Sequence, residues 1–242
     1  MAVGVFITVV VTSIIQSMFG VGVLLFGTPT LLVLGYPFVQ VLTILLPISF
    51  TINVIQIGKH HRYVDMVFYK KILVFTIPFV ILFLLLVTRL TIKMNGIVGL
   101  FLIFAAGKNA SRRLERLVAS LVRYERTYLI AMGVIHGLTN LGGSLLTAIV
   151  HAKNYEKDRT RVTTAVAYGT FALFQMATLA LSEARLVISH ATNALYLITG
   201  ALVFFTTERV LYSKIDNEKY RLVFAVFLFI SGALLLSKAF LG

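Results

Sequence analysis

Two glycine-containing segments carry the polar groups best suited to bind a small ligand. One is Phe19-Gly20-Val21-Gly22, and the other is Thr139-Asn140-Leu141-Gly142-Gly143-Ser144. Glycine allows a tight turn and the close approach of a ligand to backbone. A helix that begins after such a turn presents its first N–H groups and the positive end of its dipole. Two such ends facing each other would form an anion site.

The alternative for these glycines is close packing between membrane helices. For Gly20 and Gly22 alone, packing is the simpler interpretation. The second segment favours binding, because Thr139, Asn140 and Ser144 add side-chain donors. The residues expected to contact the ligand there and in the first turn are Gly20, Val21, Gly22, Thr139, Asn140, Gly142, Gly143 and Ser144.

Four further polar residues stand in apolar surroundings. Asn53, Gln56 and Gln175 would either line a cavity or bond to a neighbouring helix. His136 lies just before the second glycine segment and is the one titratable group expected deep in the membrane. It could sense or carry a proton, or it could be a neutral histidine bonded to a helix carbonyl.

The elements that position these residues must be membrane helices. Of the 242 residues, 59% are hydrophobic and 13% are charged, and the mean hydropathy is +0.94. Soluble domains have about 25% charged residues. The net charge of +13 does not indicate nucleic acid, because the basic residues lie in short segments between apolar runs, as in cytoplasmic loops. The absence of cysteine excludes disulfides and thiolate metal sites.

The distribution of Lys and Arg selects a topology. If every apolar run crossed the membrane, the 22 basic residues would divide almost evenly between the two sides, and no orientation would be favoured. If segments 2–34 and 127–152 are instead re-entrant hairpins, all basic residues but Arg89, Lys93, Arg185 and Lys238 share the cytoplasmic face, in loops 59–71, 108–126, 153–161 and 209–221. Both termini then lie outside. The predicted spans are 36–58, 66–88, 93–107, 160–181, 187–207 and 220–240.

Three spans after each hairpin make the second half upside down relative to the first. With an offset of 120 residues, Gly22 pairs with Gly142 and Thr43 with Thr163, and the basic segment 59–71 matches the sparsely charged 179–191. The sequence therefore predicts an all-α integral membrane protein of two inverted repeats, 1–120 and 121–242. Each repeat consists of a re-entrant helical hairpin and three transmembrane helices.

The nature of the substrate follows from the acidic residues. All nine fall in loops or at span ends, so no buried carboxylate is expected, and a cation transporter would normally need one. The sequence thus favours an anionic substrate, with no metal and no cofactor. Its expected partners are a small anion and the lipid bilayer, with no nucleic acid. The sequence does not decide whether the protein forms a homo-oligomer.

The pattern of a glycine-rich turn, an apolar helix, Leu34-Gly35-Tyr36-Pro37 and a span resembles the sulfite exporter TauE/SafE family of membrane permeases. The similarity is strongest over 20–47 and weaker over 137–164. Family motifs carry a denser glycine cluster and a proline in each second leg; Pro29 fits, whereas Ile149 stands at the second position. The resemblance implies export of sulfite, an organosulfonate or a related oxyanion across the inner membrane. It also implies that Gly20, Val21, Gly22, Asn140, Gly142, Gly143 and Ser144 contact the substrate.

The sequence leaves three hypotheses. The first is a secondary transporter that holds the anion at the midplane and works by alternating access. An anion channel would share the architecture and differ in kinetics. A membrane-embedded enzyme would need a nucleophile with a base or metal in reach, for which the sequence has few candidates.

Overall fold

The protein is all-helical in every part that the structure describes, as the sequence predicts. The computed structural model describes residues 3–90, 94–182, 190–211 and 217–241, and these contain α-helices, one 3-10 turn at His61–Tyr63 and no strand. The helices are α1 (Val3–Phe19), α2 (Val23–Val33), α3 (Phe38–His60), α4 (Met66–Phe75), α5 (Ile77–Arg89), α6 (Met94–Ala110), α7 (Arg112–Val122), α8 (Glu125–Thr139), α9 (Gly143–Ala152), α10 (Lys157–Leu181), α11 (His190–Leu211) and α12 (Asn217–Leu241).

Segments 2–34 and 127–152 each contain two helices with a break between them. Residues 20–22 separate α1 from α2, residues 140–142 separate α8 from α9, and the two helices of each pair contact each other. The second legs, α2 and α9, have 11 and 10 residues. At 1.5 Å per residue each is about 15 Å long, half the ~30 Å of a bilayer core. Neither leg can cross a membrane alone.

Within the described ranges, four segments are long and apolar enough to cross a membrane. They are Phe38–Lys59 in α3, Met66–Arg89 across α4 and α5, Lys157–Leu181 in α10 and Ala191–Leu211 in α11. The remaining predicted spans, 93–107 and 220–240, correspond to α6 and α12, which contain the apolar stretches Met94–Lys108 and Ala225–Phe240. Large apolar side chains are exposed on several of these helices, as expected where lipid is the solvent.

The predicted span 66–88 consists of two helices rather than one. The break is at Thr76, which ends α4 and precedes Pro78 in the first turn of α5. The Thr76 hydroxyl donates to the backbone oxygen of Leu129 in α8, at 3.0 Å. Proline has no backbone N–H to donate, so the helical hydrogen-bond pattern is interrupted at this point, where the Thr76 side chain also binds a neighbouring helix.

Segment 108–126, predicted as a loop, contains helix α7, so this prediction was wrong. Leu114, Leu117, Val118 and Leu121 recur at helical spacing between basic residues, a pattern typical of an amphipathic helix. Val118 is buried, whereas Leu117 and Leu121 are exposed. Helix α7 contacts α6, α8 and α9 and so connects the two halves of the chain along the second hairpin.

Apart from α7, the helices of the two halves follow the same order at an offset of 120 residues. Helices α1, α2 and α3 correspond to α8, α9 and α10, the α4–α5 segment corresponds to α11, and α6 corresponds to α12. The contacts between helices follow the same correspondence. Helix α1 packs on α11 as its counterpart α8 packs on α5, and α3 packs on α11 as its counterpart α10 packs on α5. Helices α3 and α10 also pack on each other. Gly99 of α6 and Gly232 of α12 meet closely: a Cβ on Gly232 would lie 2.9 Å from the Gly99 oxygen.

Some sequence predictions concern residues outside the described ranges. These include the positions of Lys93 and Arg185, the start of the span predicted at 187–207, and the sides on which the two termini lie.

Candidate functional site

The first hairpin turns tightly because two glycines bring α2 directly onto the backbone of α1. Gly20 has a φ of +75°, a conformation that residues with a Cβ rarely adopt. A Cβ on Gly22 would lie 2.6 Å from the backbone nitrogen of Gln16 and 2.8 Å from the carbonyl oxygen of Thr12. The turn therefore has no room for a side chain at Gly22.

The second hairpin turns at Asn140, which has the left-handed conformation (φ 61°). Its backbone N–H donates to the His136 oxygen at 2.8 Å, and the Thr139 hydroxyl accepts from the Leu141 N–H at 3.1 Å. A Cβ on Gly142 would lie 2.5 Å from the His136 Cβ. Asparagine tolerates this backbone conformation better than most residues, which explains why the polar residue stands at the turn.

Each second leg begins with backbone donors that no carbonyl of its own helix accepts. In α2 the Val23 N–H donates to the side-chain oxygen of Gln16 at 2.9 Å, so one of these donors is already satisfied. Within the described part of the chain, the N–H groups of Leu24 and Leu25 in α2 and of Gly142 and Gly143 at the start of α9 have no hydrogen-bond acceptor. The N–H groups of Val21 and Gly22 likewise have no acceptor there, so six backbone donors at the two turns are available to an anion.

A side-chain hydrogen bond joins the two hairpins. The Asn140 amide nitrogen donates to the hydroxyl of Thr28, in the middle of α2, at 3.0 Å, and both residues are fully buried. The other amide atom, Asn140 Oδ1, is buried and has no hydrogen-bond partner among the described residues. Asn140 therefore connects the second turn to the second leg of the first hairpin. Helices α2 and α9 also contact each other.

The predicted residue Asn53 lies in α3 against the first hairpin. Its side-chain oxygen is 3.5 Å from the Gln16 amide nitrogen, and its own amide nitrogen donates to the Ser49 oxygen at 2.7 Å. Gly169 of α10 packs on Asn53, since a Cβ there would lie 3.4 Å from the Asn53 Cβ. Asn53 thus stands where α3 crosses the centre of α10.

Gln56 lies one turn further along α3. It is fully buried, and neither atom of its amide has a hydrogen-bond partner in the described ranges. Burying an amide in this way costs free energy, so the residue is a candidate for contact with a ligand.

His136 and Gln175 form a second polar pair, between α8 and α10. His136 Nε2 is 3.1 Å from Gln175 Oε1, and the imidazole packs against Phe171 at a ring-centroid distance of 4.6 Å. His136 Nδ1 and Gln175 Nε2 are buried without a partner among the described residues. The alternative of a histidine bonded to a helix carbonyl does not apply, because the partner of Nε2 is a side-chain amide.

The start of α9 packs on the aromatic ring of Tyr168 from α10. A Cβ on Gly143 would overlap the Tyr168 hydroxyl, so glycine is required at this position. Ser144 is buried; its hydroxyl donates to the Leu141 oxygen at 3.3 Å, and its backbone oxygen accepts from Lys108 at 3.1 Å. The Ser144 hydroxyl is therefore engaged within its own helix turn.

An ion network beside the first turn was not predicted from the sequence. Glu208 of α11 pairs with Lys59 of α3 through one oxygen and with Arg161 of α10 through the other, where Arg161 Nη2 and Glu208 Oε1 are 2.7 Å apart. Glu208 is only 5% exposed and Arg161 6%. The expectation that no carboxylate is buried is therefore wrong for Glu208: it stands near a span end, but three helices and two cations enclose it.

The sequence does carry a signal for this network. Lys59, Arg161 and Glu208 each border a long uncharged run, and charged residues at such borders can turn inward and pair. Arg161 also contacts the first turn, because a Cβ on Gly20 would lie 3.3 Å from its Cγ. Gln16 and Thr28 were missed as well, since an isolated polar residue in an apolar helix does not reveal its partner.

Both turns lie along α10 between Arg161 and Gln175. The polar groups around them are mainly backbone N–H groups, amides and one imidazole, and the carboxylate of Glu208, beside the first turn, is paired with two cations. Among the described residues, no group of three or more His, Asp or Glu is placed to hold a metal ion. An arrangement of this kind can bind an anion without a metal.

The chain matches the model of the sulfite exporter TauE/SafE family over residues 5–235. The match covers nearly the whole chain, so the protein belongs to this family, as its sequence motifs suggested. It is accordingly a multi-pass membrane protein of a transporter family. No curated protein and no solved structure is significantly similar to it.

Proposed function

We propose that the protein is a secondary transporter for a small oxyanion, sulfite or an organosulfonate, across the cytoplasmic membrane. The observation that carries the proposal is membership of the sulfite exporter TauE/SafE family over residues 5–235. The broken hairpins support it, because they provide helix N-termini inside the helix bundle, where such groups favour negative charge.

The substrate would lie between the two turns, against the central part of α10. Its oxygens would accept from the N–H groups of Gly142 and Gly143 on one side and of Leu24 and Leu25 on the other. Gln56 would supply a further amide contact, which agrees with its buried amide nitrogen that has no partner among the described residues. Asn140 would contribute the second N–H of the amide nitrogen that already donates to Thr28. An unpaired buried amide costs free energy, and a bound anion would recover part of it through the amide nitrogens.

Alternating access would follow from two inverted repeats. In this proposal the first hairpin enters from outside and the second from the cytoplasm, both termini lie outside, and both turns reach the middle of the bilayer. The corresponding helix order and contacts of the two halves support such a repeat. Because the site residues are buried, the substrate would reach them only when a hairpin moves relative to α3 and α10.

Flux into proteoliposomes tests this function. We expect saturable uptake of sulfite or sulfoacetate, with lower rates for thiosulfate and chloride and none for taurine, which has no net charge, with and without a pH gradient. Protein-free liposomes are the control. A non-saturating, voltage-driven current would indicate an anion channel instead, and absence of flux for every anion would contradict the proposal.

A further inference from the structure

The carboxylate of Glu208 occupies the position of an anion between two cations. Lys59 pairs with Oε2 and Arg161 with Oε1. A buried carboxylate is costly unless it is paired, and here each oxygen has its own cation. The guanidinium also presents donors in a planar fork that matches two oxygens of an oxyanion.

The network is also in contact with the first hairpin. The Arg161 side chain lies against Gly20, at the start of the turn. The Thr207 hydroxyl, from the residue before Glu208, donates to the Ser17 hydroxyl at the end of α1, at 2.8 Å. Both contacts lie where α1 ends and the turn begins, so a change in the pairing of Glu208 would act on the turn that leads into α2.

We propose that Arg161 is a binding residue for the transported anion and that Glu208 is its internal competitor. This inference rests on the proposed function and adds a second anion-binding site, at Arg161, beside the site between the turns. An incoming sulfite or sulfonate takes the place of Glu208 on the guanidinium, since it offers equivalent oxygens. Glu208 then remains paired with Lys59 alone. The ion pair between Arg161 of α10 and Glu208 of α11 is broken, so these two helices are no longer linked beside the first hairpin.

A purely structural ion pair makes a different prediction. Removing the charge of Glu208 would then lower stability and leave the apparent affinity for substrate unchanged. If Glu208 competes with substrate, the same substitution raises the apparent affinity, because the anion no longer has to displace a carboxylate. The two cases are separated by the KM for the anion, which stability alone does not move.

The chain offers a matched control. Glu125 also lies between two cations, Lys71 and Lys153, but it is at the start of α8, away from both turns. The substitution Glu125→Gln removes a carboxylate from between two lysines without changing the proposed anion-binding site at Arg161. Its effect measures the general consequence of breaking such a network.

The experiment is sulfite flux into proteoliposomes by wild type, Glu208→Gln, Arg161→Lys and Glu125→Gln, with thermal stability measured in parallel. We expect the KM to fall about tenfold for Glu208→Gln and to rise about tenfold for Arg161→Lys, as for one charge-assisted hydrogen bond. Glu125→Gln should keep the wild-type KM.

Equal KM values for Glu208→Gln and Glu125→Gln, or a higher KM for Glu208→Gln, would overturn the inference while wild-type flux still supports the proposed function. If Glu208→Gln does not fold, Glu208→Asp serves, because its shorter side chain weakens the contact and should also lower the KM. No anion flux by the wild type would refute the proposed function itself.

Discussion

Gln16 and His136 occupy equivalent positions in the two hairpins, each directly beneath a glycine six residues later in the chain. A Cβ on Gly22 would lie 2.6 Å from the Gln16 nitrogen, and one on Gly142 would lie 2.5 Å from the His136 Cβ. Both side chains then make a polar contact, Gln16 with the Val23 N–H and His136 with Gln175. The two turns thus use one construction with different side chains.

Gly142 packs directly on His136, so a larger residue at position 142 would displace the start of α9. We expect Gly142→Ala to lower anion flux at least about tenfold, because the new methyl group requires the start of α9 to shift. Gly58→Ala is the control, since a Cβ on Gly58 meets nothing within 4 Å. Flux normalised to protein amount in proteoliposomes measures both. Equal rates for the two variants would show that the position of α9 is not critical.

Replacing His136 by glutamine tests whether the histidine carries a proton. Because Gln16 fills the equivalent position in the first hairpin, we expect His136→Gln to keep a hydrogen bond to Gln175 and at least about half of the flux. The response of flux to a pH gradient should stay as in the wild type. If that response disappears in the variant while transport persists, His136 is the proton carrier and this interpretation is wrong.

Asn140 combines a backbone role with a side-chain role, and two substitutions separate them. Asn140→Gly keeps the left-handed conformation without strain and removes the amide together with its hydrogen bond to Thr28. We expect it to raise the KM about tenfold, the effect of losing one hydrogen bond to a charged group. Asn140→Ala loses the same hydrogen bond and also strains the turn by about 1–2 kcal/mol, so its thermal stability should be lower than that of the glycine variant. Wild-type KM in the glycine variant would exclude Asn140 from the binding site.

Much of this site could be predicted from the sequence, but its pairings could not. The hairpin turns follow from glycine at Gly22 and Gly142, because glycine marks backbone that needs close approach. The bond from Asn140 to Thr28 spans over a hundred residues, and periodicity along one helix says nothing about such a contact. The burial of Glu208 is likewise decided by three helices packing together, so its loop-like position in the sequence was misleading.

The break at Thr76 and helix α7 were missed for other reasons. Apolar length identifies a span but does not show a bend within it, although Pro78 was a signal for one. Helix α7 carries charged residues along its length, so uncharged runs do not reveal it; an amphipathic helix is marked instead by the spacing of its apolar residues between charges.

The pKa of Asp65 is shifted by its neighbours at the start of α4. Burial acts to raise this pKa, but hydrogen bonds from Tyr155 and from the Phe68 N–H, together with the charges of Arg159 and Lys153, outweigh burial and hold it below the ordinary 3.8. The carboxylate is thus favoured in the folded protein.

The Glu125 carboxyl behaves in the same way. Burial acts to raise its pKa, and hydrogen bonds from Lys71 and Lys153 outweigh that effect and hold it below the ordinary 4.5. A group whose pKa is lower in the folded state stabilises the protein above its unfolded pKa, and the contribution is lost as pH falls through the folded value.

Acid should therefore destabilise the protein below about pH 4.5, where these two carboxyls take up protons in the unfolded chain before they do so in the folded protein. Thermal unfolding of detergent-solubilised protein between pH 7 and pH 3 measures this. Asp65→Asn keeps a helix-capping side chain but lacks the charge, so its melting temperature should fall less steeply with acid. A slope identical to the wild type would mean that Asp65 does not contribute.

In the proposed topology the two hairpins open toward opposite faces of the membrane, and cysteine accessibility distinguishes the two faces. The chain has no cysteine, so Leu34→Cys and Ala152→Cys, both at exposed positions at the ends of the second legs, give single-cysteine proteins. With an impermeant thiol reagent on intact cells, Leu34→Cys should be labelled, and Ala152→Cys should be labelled only after permeabilisation. Labelling of both positions from the same side would show that both hairpins open toward one face, which would contradict the proposed inverted topology.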